Sequence, residues 1–431
     1  AAWLWAARLR PARWPASARP GRSGAGAAPR RHARPVRPAS APGASAPGAV
    51  DPAASACGPV DTTSAPAALI VVPPDLLART AELVAVPSES FSEGPLVDAI
   101  EAELRALPHL TVDRVGDNVV ARTTLGRPTR VVLAGHTDTV PANDNATPRI
   151  EGDVLWGVGS ADMKSGLAVM LELAGRHPTP AVDVTYVFYA REEVAAADSG
   201  LLELLEERPE LLDGDVAILG EPTDGEIEAG CQGALRFRVV LHGARAHLAR
   251  AWMGRNAVHR LGALLRVLEE YTPRQPEILG CHYHESLQAV RVEGGVAGNV
   301  VPDRVEIEIG HRFAPDRTAD QAEAHVRELL APVLEEGDEV HLLDRSPAAP
   351  PAVDHPVVET LIRRHGLGVW AKLGWTDVAR FVEHGVPAVN LGPGEATLAH
   401  TAEERVERAS IERAYSALDD LLTNGPDAQG A

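Results

Sequence analysis

The chain is 431 residues long (45.6 kDa), enough for two or three domains with sizeable cores. Its formal net charge of −19 argues against nucleic acid as a partner, since binding a polyanion needs a basic surface. No apolar run reaches the ~18 residues of a membrane-spanning helix, so no membrane partner is expected. The three cysteines, Cys57, Cys231 and Cys281, lack the spacing of a metal site and fit a cytoplasmic location better than a disulfide framework.

Residues 1–70 differ from the rest of the chain in composition. They are rich in Ala, Pro, Arg, Gly and Ser, and they carry nine Arg and two Asp. Such a segment cannot bury enough apolar surface to order itself. We therefore expect an Ala/Pro/Arg-rich disordered extension that has no role in catalysis.

Residues 71–230 show helix and strand patterns in alternation. The spacing of apolar residues predicts a helix at 74–86, strands at 118–124 and 130–134, a hairpin around 150–156, a helix at 165–175, a strand at 183–189, a helix at 199–207 and a strand at 216–219. This alternation is typical of an α/β domain.

The pattern changes after Gly230. Residues 231–345 predict a strand at 234–241, a helix at 256–270, strands at 287–292 and 305–312, a helix at 319–330 and a strand at 339–343. The order β-α-β-β-α-β is the ferredoxin-like split βαβ pattern. Residues 346–425 return to a helix from 356, a strand at 388–391 and a helix at 408–422. The sequence thus predicts a discontinuous α/β domain, 71–230 and 346–425, interrupted by an α+β domain, 231–345.

Acidic and histidine side chains follow several of the apolar strands. They occur in the segments VVLAGHTDTVP, GVGSADMKSG, VTYVFYAREEV, ILGEPT and LAHTAEE, which contain His136, Asp138, Asp162, Glu192, Glu193, Glu221 and His400. Open α/β sheets bind their ligands at the carboxyl ends of strands. Each residue alone has a common structural explanation, but their joint occurrence favours one shared site.

The residue types favour a pair of divalent cations, which take carboxylate oxygen and neutral imidazole nitrogen. Two such ions need a bridging carboxylate and terminal ligands on each side. Asp162 is the candidate bridge. The candidate terminal ligands are His136 and Glu221 on one ion, and Glu193 and His400 on the other.

Two further carboxylates are left beside these ligands. Glu192 is free to act as the base that takes a proton from the attacking water. Asp138, two residues beyond His136, is placed to accept the other imidazole N–H and so fix the tautomer that ligates metal.

At these segments the chain resembles the di-zinc aminoacylase and exopeptidase superfamily, and within it the succinyl-diaminopimelate desuccinylases of actinobacteria. GCQGALRF, GARAHLARAWMGRNA, GGVAGNVVPD, RFAPDR, GWTDVARF and NLGPGEATLAH carry the likeness, which extends over roughly residues 72–422. The resemblance implies a mixed-sheet catalytic domain with an inserted lid and dimerisation domain. It also implies two zinc ions, with cobalt as a substitute, and a homodimer that acts on a small N-acylated amino dicarboxylate.

The resemblance further implies roles for three residues of the inserted domain. His247 in GARAHLAR matches a histidine that the family supplies to the partner subunit's active site, where it stabilises the oxyanion. Asn299 in GNVVPD matches an asparagine supplied in the same way. Arg312 in RFAPDR matches the family's carboxylate-binding arginine. Arg236, which begins the strand after the CQG turn, could also contribute to substrate binding, but a solvated arginine on an edge strand is the preferred interpretation.

The implied reaction is hydrolysis of N-succinyl-LL-2,6-diaminopimelate to succinate and LL-2,6-diaminopimelate, a step of lysine biosynthesis. An N-acetylornithine deacetylase, another aminoacylase or a glutamate carboxypeptidase would use the same metals and base. In the superfamily, deacylases tend to carry Glu where peptidases carry Asp at the position of Glu221, which favours an acylase. A non-catalytic binding protein is disfavoured because all five candidate ligands and the candidate base are present.

Overall fold

The computed structural model describes residues 75–427. The extension predicted to be disordered, residues 1–70, lies outside the described residues. The first elements in chain order are α1 (Leu76–Val84), α2 (Gly94–Arg105), β1 (Thr111–Val115), β2 (Asn118–Arg122), β3 (Arg130–His136), β4 (Arg149–Glu151), β5 (Val154–Trp156), α3 (Ser165–Arg176), β6 (Asp183–Tyr189), α4 (Gly200–Glu207), β7 (Val216–Leu219) and β8 (Ile227–Ala229).

Two further stretches complete the described chain. The middle stretch contains β9 (Gly233–His242), β10 (Ala246–His247), α5 (Ala257–Glu270), β11 (Glu277–Ile278), β12 (Cys281–His282), β13 (Ser286–Gly294), β14 (Val300–Val301), β15 (Arg304–Phe313), α6 (Ala319–Leu330) and β16 (Glu339–Ser346). The last stretch contains α7 (Pro356–His365), β17 (Val369–Ala371), α8 (Val378–Glu383), β18 (Ala388–Asn390), β19 (Arg405–Glu407) and α9 (Arg408–Asn424).

The main sheet has the strand order β1-β2-β6-β3-β7-β18-β8-β17. Its four central strands, β6, β3, β7 and β18, run parallel to one another, whereas the pairs β1–β2, β2–β6 and β18–β8 are antiparallel. The carboxyl ends of the four central strands therefore meet at one edge. The mixed α/β sheet expected from the sequence is confirmed.

The main sheet is covered by helices on both faces, which explains why its central strands are apolar almost without interruption. Val131 and Leu133 of β3 pack into a core with α1, α2, α3 and α9. The alternate residues Val132 and Ala134 face a second core with α4 and α8. Among the helices of residues 75–427, none combines the length and apolar character that crossing a bilayer requires.

The middle stretch forms a separate four-stranded antiparallel sheet in the order β13-β15-β9-β16. Its strands and helices follow the order β-α-β-β-α-β that the sequence predicts. One face is packed by α5 and α6, whose Leu264 and Val326 join Phe237 and Ile307 in a third core. The other face carries polar side chains.

The structure contains elements that the sequence analysis omits, notably α2, β1 and β19. Helix α2 buries Leu96, Val97, Ile100 and Leu104, an amphipathic spacing that was available in the sequence. Strand β19 pairs with β5 of the predicted hairpin, giving a three-stranded sheet β19-β5-β4. That pairing joins residues about 250 positions apart, so no local pattern indicates it.

Candidate metal centre

Four of the predicted ligands converge at the carboxyl edge of the main sheet. His136, Asp162 and Glu193 each place one donor atom within 4.8 Å of the other two. His400 joins them, because its Nε2 lies 2.6 Å from Glu193 Oε1 and 3.5 Å from Asp162 Oδ2. The structure thus brings together residues that are more than 260 positions apart in the chain.

His136 is the last residue of β3 and is buried. Its Nε2 lies 3.0 Å from Asp162 Oδ1. Its Nδ1 lies 3.0 Å from the Asp138 carbonyl oxygen and 3.4 Å from Asp138 Oδ1, so the carbonyl oxygen is the nearer acceptor. In a neutral imidazole, donation from Nδ1 to this carbonyl oxygen leaves the Nε2 lone pair available to a metal ion.

Asp162 lies between the two histidines, as a bridging carboxylate must. One oxygen contacts His136 and the other faces His400. Burial opposes the charge of this carboxyl group, but hydrogen bonds from His136 and His400 lower its pKa below the ordinary value. An ionised carboxylate in contact with two imidazoles is a donor set that divalent cations prefer.

His400 and Glu193 form the second half of the cluster. Hydrogen bonds to Asp162 and Glu193 raise the pKa of His400 to about 10. His400 has a backbone φ of 64°, in the left-handed region that non-glycine residues rarely adopt. Such strained residues concentrate at functional sites, where the surrounding structure holds them in place.

Glu221 follows β7 and is buried with one unpartnered oxygen. Its side-chain atom Oε1 has no hydrogen-bond partner among the described residues. Burial, followed by the charge of Asp162, raises the pKa of Glu221 to about 8. An orphaned buried carboxylate oxygen costs free energy unless something positive meets it. Glu221 therefore fits a metal ligand better than a structural carboxylate.

Asp138 is fully buried and anchors the segment with the two consecutive glutamates. Its Oδ1 accepts the backbone N–H of Glu192 at 3.0 Å, and its Oδ2 accepts that of Glu193 at 3.1 Å. Ser90 donates its hydroxyl to Oδ2 at 2.8 Å. Burial opposes ionisation, yet hydrogen bonding and charge attraction from His136, with these backbone donors, lower the Asp138 pKa to about 2. The sequence analysis predicted that the Asp138 side chain accepts the His136 N–H, whereas the Asp138 carbonyl oxygen is the nearer acceptor, and the anchoring of the two glutamates was not predicted.

Glu192 is not part of this cluster of donor atoms, and it lines a cleft of about 680 Å³. Burial raises its pKa well above the ordinary value; His136 opposes this rise, and Asp377 and Glu221 add to it. The cleft is also lined by Arg236, Arg312, Trp375, Asp377 and Arg380. It thus connects the candidate base with the polar face of the four-stranded sheet.

Arg236 and Arg312 share that polar face because of the register of their strands. Arg312 lies opposite Ala234, and Gly310 lies opposite Arg236, so the two arginines belong to the same side of adjacent strands. The interpretation of Arg236 as an edge-strand arginine is wrong: β9 lies between β15 and β16. The edge-strand prediction failed because strand order is not visible in a local pattern.

His247 and Asn299 lie side by side, apart from the cluster. His247 ends β10, which pairs with β14, and the Leu248 N–H donates to the Asn299 carbonyl oxygen at 2.8 Å. Both residues are exposed. Within the part of the chain that the structure describes, no hydrogen bond or ion pair connects either of them to the candidate ligands.

Comparison with known proteins places this geometry in a family. Residues 132–424 match the peptidase family M20/M25/M40. A Corynebacterium glutamicum protein named succinyl-diaminopimelate desuccinylase is 43% identical over 77% of this chain and 91% of its own length. A Mycobacterium tuberculosis protein, provisionally assigned the same name, is 48% identical over 80% of this chain and 97% of its own length.

Solved structures show the same fold at low sequence identity. A tripeptidase from Staphylococcus aureus superimposes with a TM-score of 0.65 at 22% identity, covering 80% of this chain and 96% of that one. A dinuclear metal-binding peptidase from Bacillus subtilis gives 0.59 at 18% identity, covering 80% and 96%. The match over 132–424 and the close relatives show that this chain belongs to peptidase family M20/M25/M40.

Proposed function

We propose that the chain is a metal-dependent amide hydrolase that converts N-succinyl-LL-2,6-diaminopimelate and water to succinate and LL-2,6-diaminopimelate. The convergence of His136, Asp162, Glu193 and His400 beside Glu192 carries the proposal. The name of the Corynebacterium glutamicum relative supplies the substrate. The enzyme would act in lysine and diaminopimelate biosynthesis in the cytoplasm.

Two divalent cations fit the residues of the cluster, and we propose zinc, with cobalt as a substitute. Asp162 would bridge them, His136 and Glu221 would hold one, and Glu193 and His400 the other. The fit is supported by the two faces of Asp162 and by the orphaned oxygen of Glu221. When bound, such ions acidify a water molecule and polarise the substrate carbonyl group.

The side chains divide the remaining chemistry between them. Glu192 takes a proton from the attacking water while the water oxygen forms a bond to the succinyl carbonyl carbon. The C–N bond then breaks, and Glu192 returns the proton to the departing amine nitrogen. Asp138 orients His136 and accepts hydrogen bonds from the backbone N–H groups of Glu192 and Glu193. One carboxylate thus positions both the base and one proposed ligand.

The cleft supports a substrate with several carboxylates. Arg312 is exposed, and it forms no ion pair with a carboxylate of the described residues. Arg236 has only a distant pairing, 3.9 Å, with Asp344. Guanidinium groups bind carboxylates through paired hydrogen bonds, so we propose that Arg312 binds one substrate carboxylate and Arg236 assists.

We further propose that residues 231–345 form a lid and dimerisation domain on a catalytic domain made of 71–230 and 346–425. In a homodimer, His247 and Asn299 would reach the partner's cluster. Their exposure and their separation from the cluster of their own chain support this. Exposed apolar residues next to them, Leu248, Trp252 and Met253, also favour a surface that meets another protein.

A hydrolysis panel tests the substrate. Purified protein with added zinc should hydrolyse N-succinyl-LL-2,6-diaminopimelate in preference to N-acetylornithine and a glutamyl dipeptide, measured as kcat/KM from released amine. Chelator treatment should abolish the activity and zinc should restore it. Preference for either of the other two substrates would overturn the substrate assignment and leave the metal centre standing.

Replacing Arg312 tests the carboxylate subsite. Arg312→Gln should raise KM for the succinylated substrate by about 10-fold or more, because a charged hydrogen bond contributes about 1.5–3 kcal/mol. Steady-state kinetics measures this, with Arg238→Gln as the control. Arg238 lies on the same face but is already paired with Glu308 at 3.1 Å. Equal KM changes in the two variants would contradict a specific contact.

A further inference from the structure

A buried carboxylate outside the predicted ligand set contacts the backbone of the bridging residue. Glu404 is 1% exposed. Its Oε1 accepts two backbone hydrogen bonds, from Ala161 N–H at 3.1 Å and from Asp162 N–H at 3.2 Å. These donors are 243 and 242 positions away in sequence, respectively. The sequence analysis assigned Glu404 no role.

The loop that carries Asp162 needs such an external partner. Asp162 has φ −118° and ψ 95°, outside helical values, so it does not continue into the hydrogen-bonding pattern of α3. The loop is also held by Lys164, whose buried Nζ donates to the carbonyl oxygens of Leu83 at 3.2 Å and Val86 at 2.7 Å. Two buried ionisable side chains, Glu404 and Lys164, therefore link this loop to distant segments of the chain through hydrogen bonds to backbone groups.

Further contacts connect the loop that carries Asp162 to the segment that carries His400. Gly157 N–H donates to the carbonyl oxygen of Glu404 at 3.1 Å, and β19 continues the connection by pairing with β5. Asn145 donates its side-chain amide to the carbonyl oxygen of Thr401 at 2.9 Å. The segment between His400 and β19 is thus hydrogen-bonded to Asn145 and Gly157, two residues of the segment that precedes Asp162.

We propose that Glu404 is a positioning residue of the metal centre, holding the backbone of Asp162 in register with His400 so that one carboxylate can serve both ions. This inference rests on the proposed metal centre. The physical reason is that a ligand displaced by even about 1 Å binds poorly, and that loss of a group that orients a ligand typically lowers metal affinity about 10–100-fold. Glu404 contacts neither substrate nor reacting atoms.

Zinc titration of variants tests the proposal. Glu404→Ala should bind at least one of two zinc ions about 10–100-fold more weakly and lose a similar factor in kcat with little change in KM. Glu404→Gln, which keeps a hydrogen-bond acceptor at the same place, should recover most of the lost affinity. Glu403→Ala is the matched control, because Glu403 is the residue next to Glu404 and its carboxylate is exposed. Thermal unfolding of the metal-free proteins separates positioning from general destabilisation.

The outcomes are distinguishable. Wild-type protein that binds no zinc would overturn the metal centre and this inference together. Two tightly bound ions in wild type and in Glu404→Ala alike would overturn the inference alone, as would Glu404→Gln binding as weakly as Glu404→Ala. Should the alanine variant fail to fold, Glu404→Asp replaces it, since one methylene fewer withdraws the carboxylate from both N–H groups. Wild-type zinc affinity in that variant also overturns the inference.

Discussion

Glu192→Gln is expected to retain both metal ions while lowering kcat by about 10²–10⁴-fold, the usual contribution of a general base. The amide keeps the size of the side chain but cannot take the proton from water. Glu192 is not among the residues whose donor atoms cluster, so its replacement leaves the ligands in place. Steady-state kinetics and metal analysis of the same preparation measure the two quantities.

The control for this variant is Glu206→Gln, an exposed glutamate on α4. It should have wild-type kcat and metal content. Near-normal turnover in fully metallated Glu192→Gln would refute the assignment of the base. Loss of metal together with activity would instead place Glu192 among the ligands.

His247→Ala should lower kcat by about 10²–10³-fold, the scale for losing one oxyanion donor. If His247 serves the partner's site, the defect is complementable. A mixed dimer of His247→Ala and Glu192→Gln chains has one site that receives Glu192 from the first chain and His247 from the second. That dimer should show about half of wild-type turnover, since one of its two sites is intact.

The mixed-dimer measurement needs chains with different tags, so that heterodimers can be purified and assayed. His259→Ala is the matched control, because His259 is also an exposed histidine of the middle stretch. It should be fully active alone. No recovery in the purified mixed dimer would contradict a site shared between subunits, and a monomer in solution would remove its basis.

The fold class could be predicted from sequence because buried parallel strands leave a clear apolar signal. The runs before His136, Glu192 and Glu221 each become a central strand of the main sheet. The family resemblance is confirmed as well. The individual ligand roles stay predictions, since geometry alone does not test them.

What the sequence could not reveal depends on contacts between distant segments. Arg236 was misjudged because the place of β9 in its sheet is set by pairings with β15 and β16. Glu404 has the local character of a surface acid, and only the folded chain shows its carboxylate buried against the Asp162 loop. Asp138 was assigned one partner and has several.

The position of β18 between β7 and β8 has a consequence for biosynthesis. On a ribosome, everything through residue 387 is made before the strand that fills this gap exists, and His400 emerges later still. In a nascent chain that ends before residue 388, β7 and β8 therefore lack the strand that pairs with both of them, and the proposed ligand set lacks His400. The proposed ligand set is complete only after the carboxyl-terminal segment has left the ribosome, and truncations that remove β18 should yield aggregation-prone products instead of weakened enzymes.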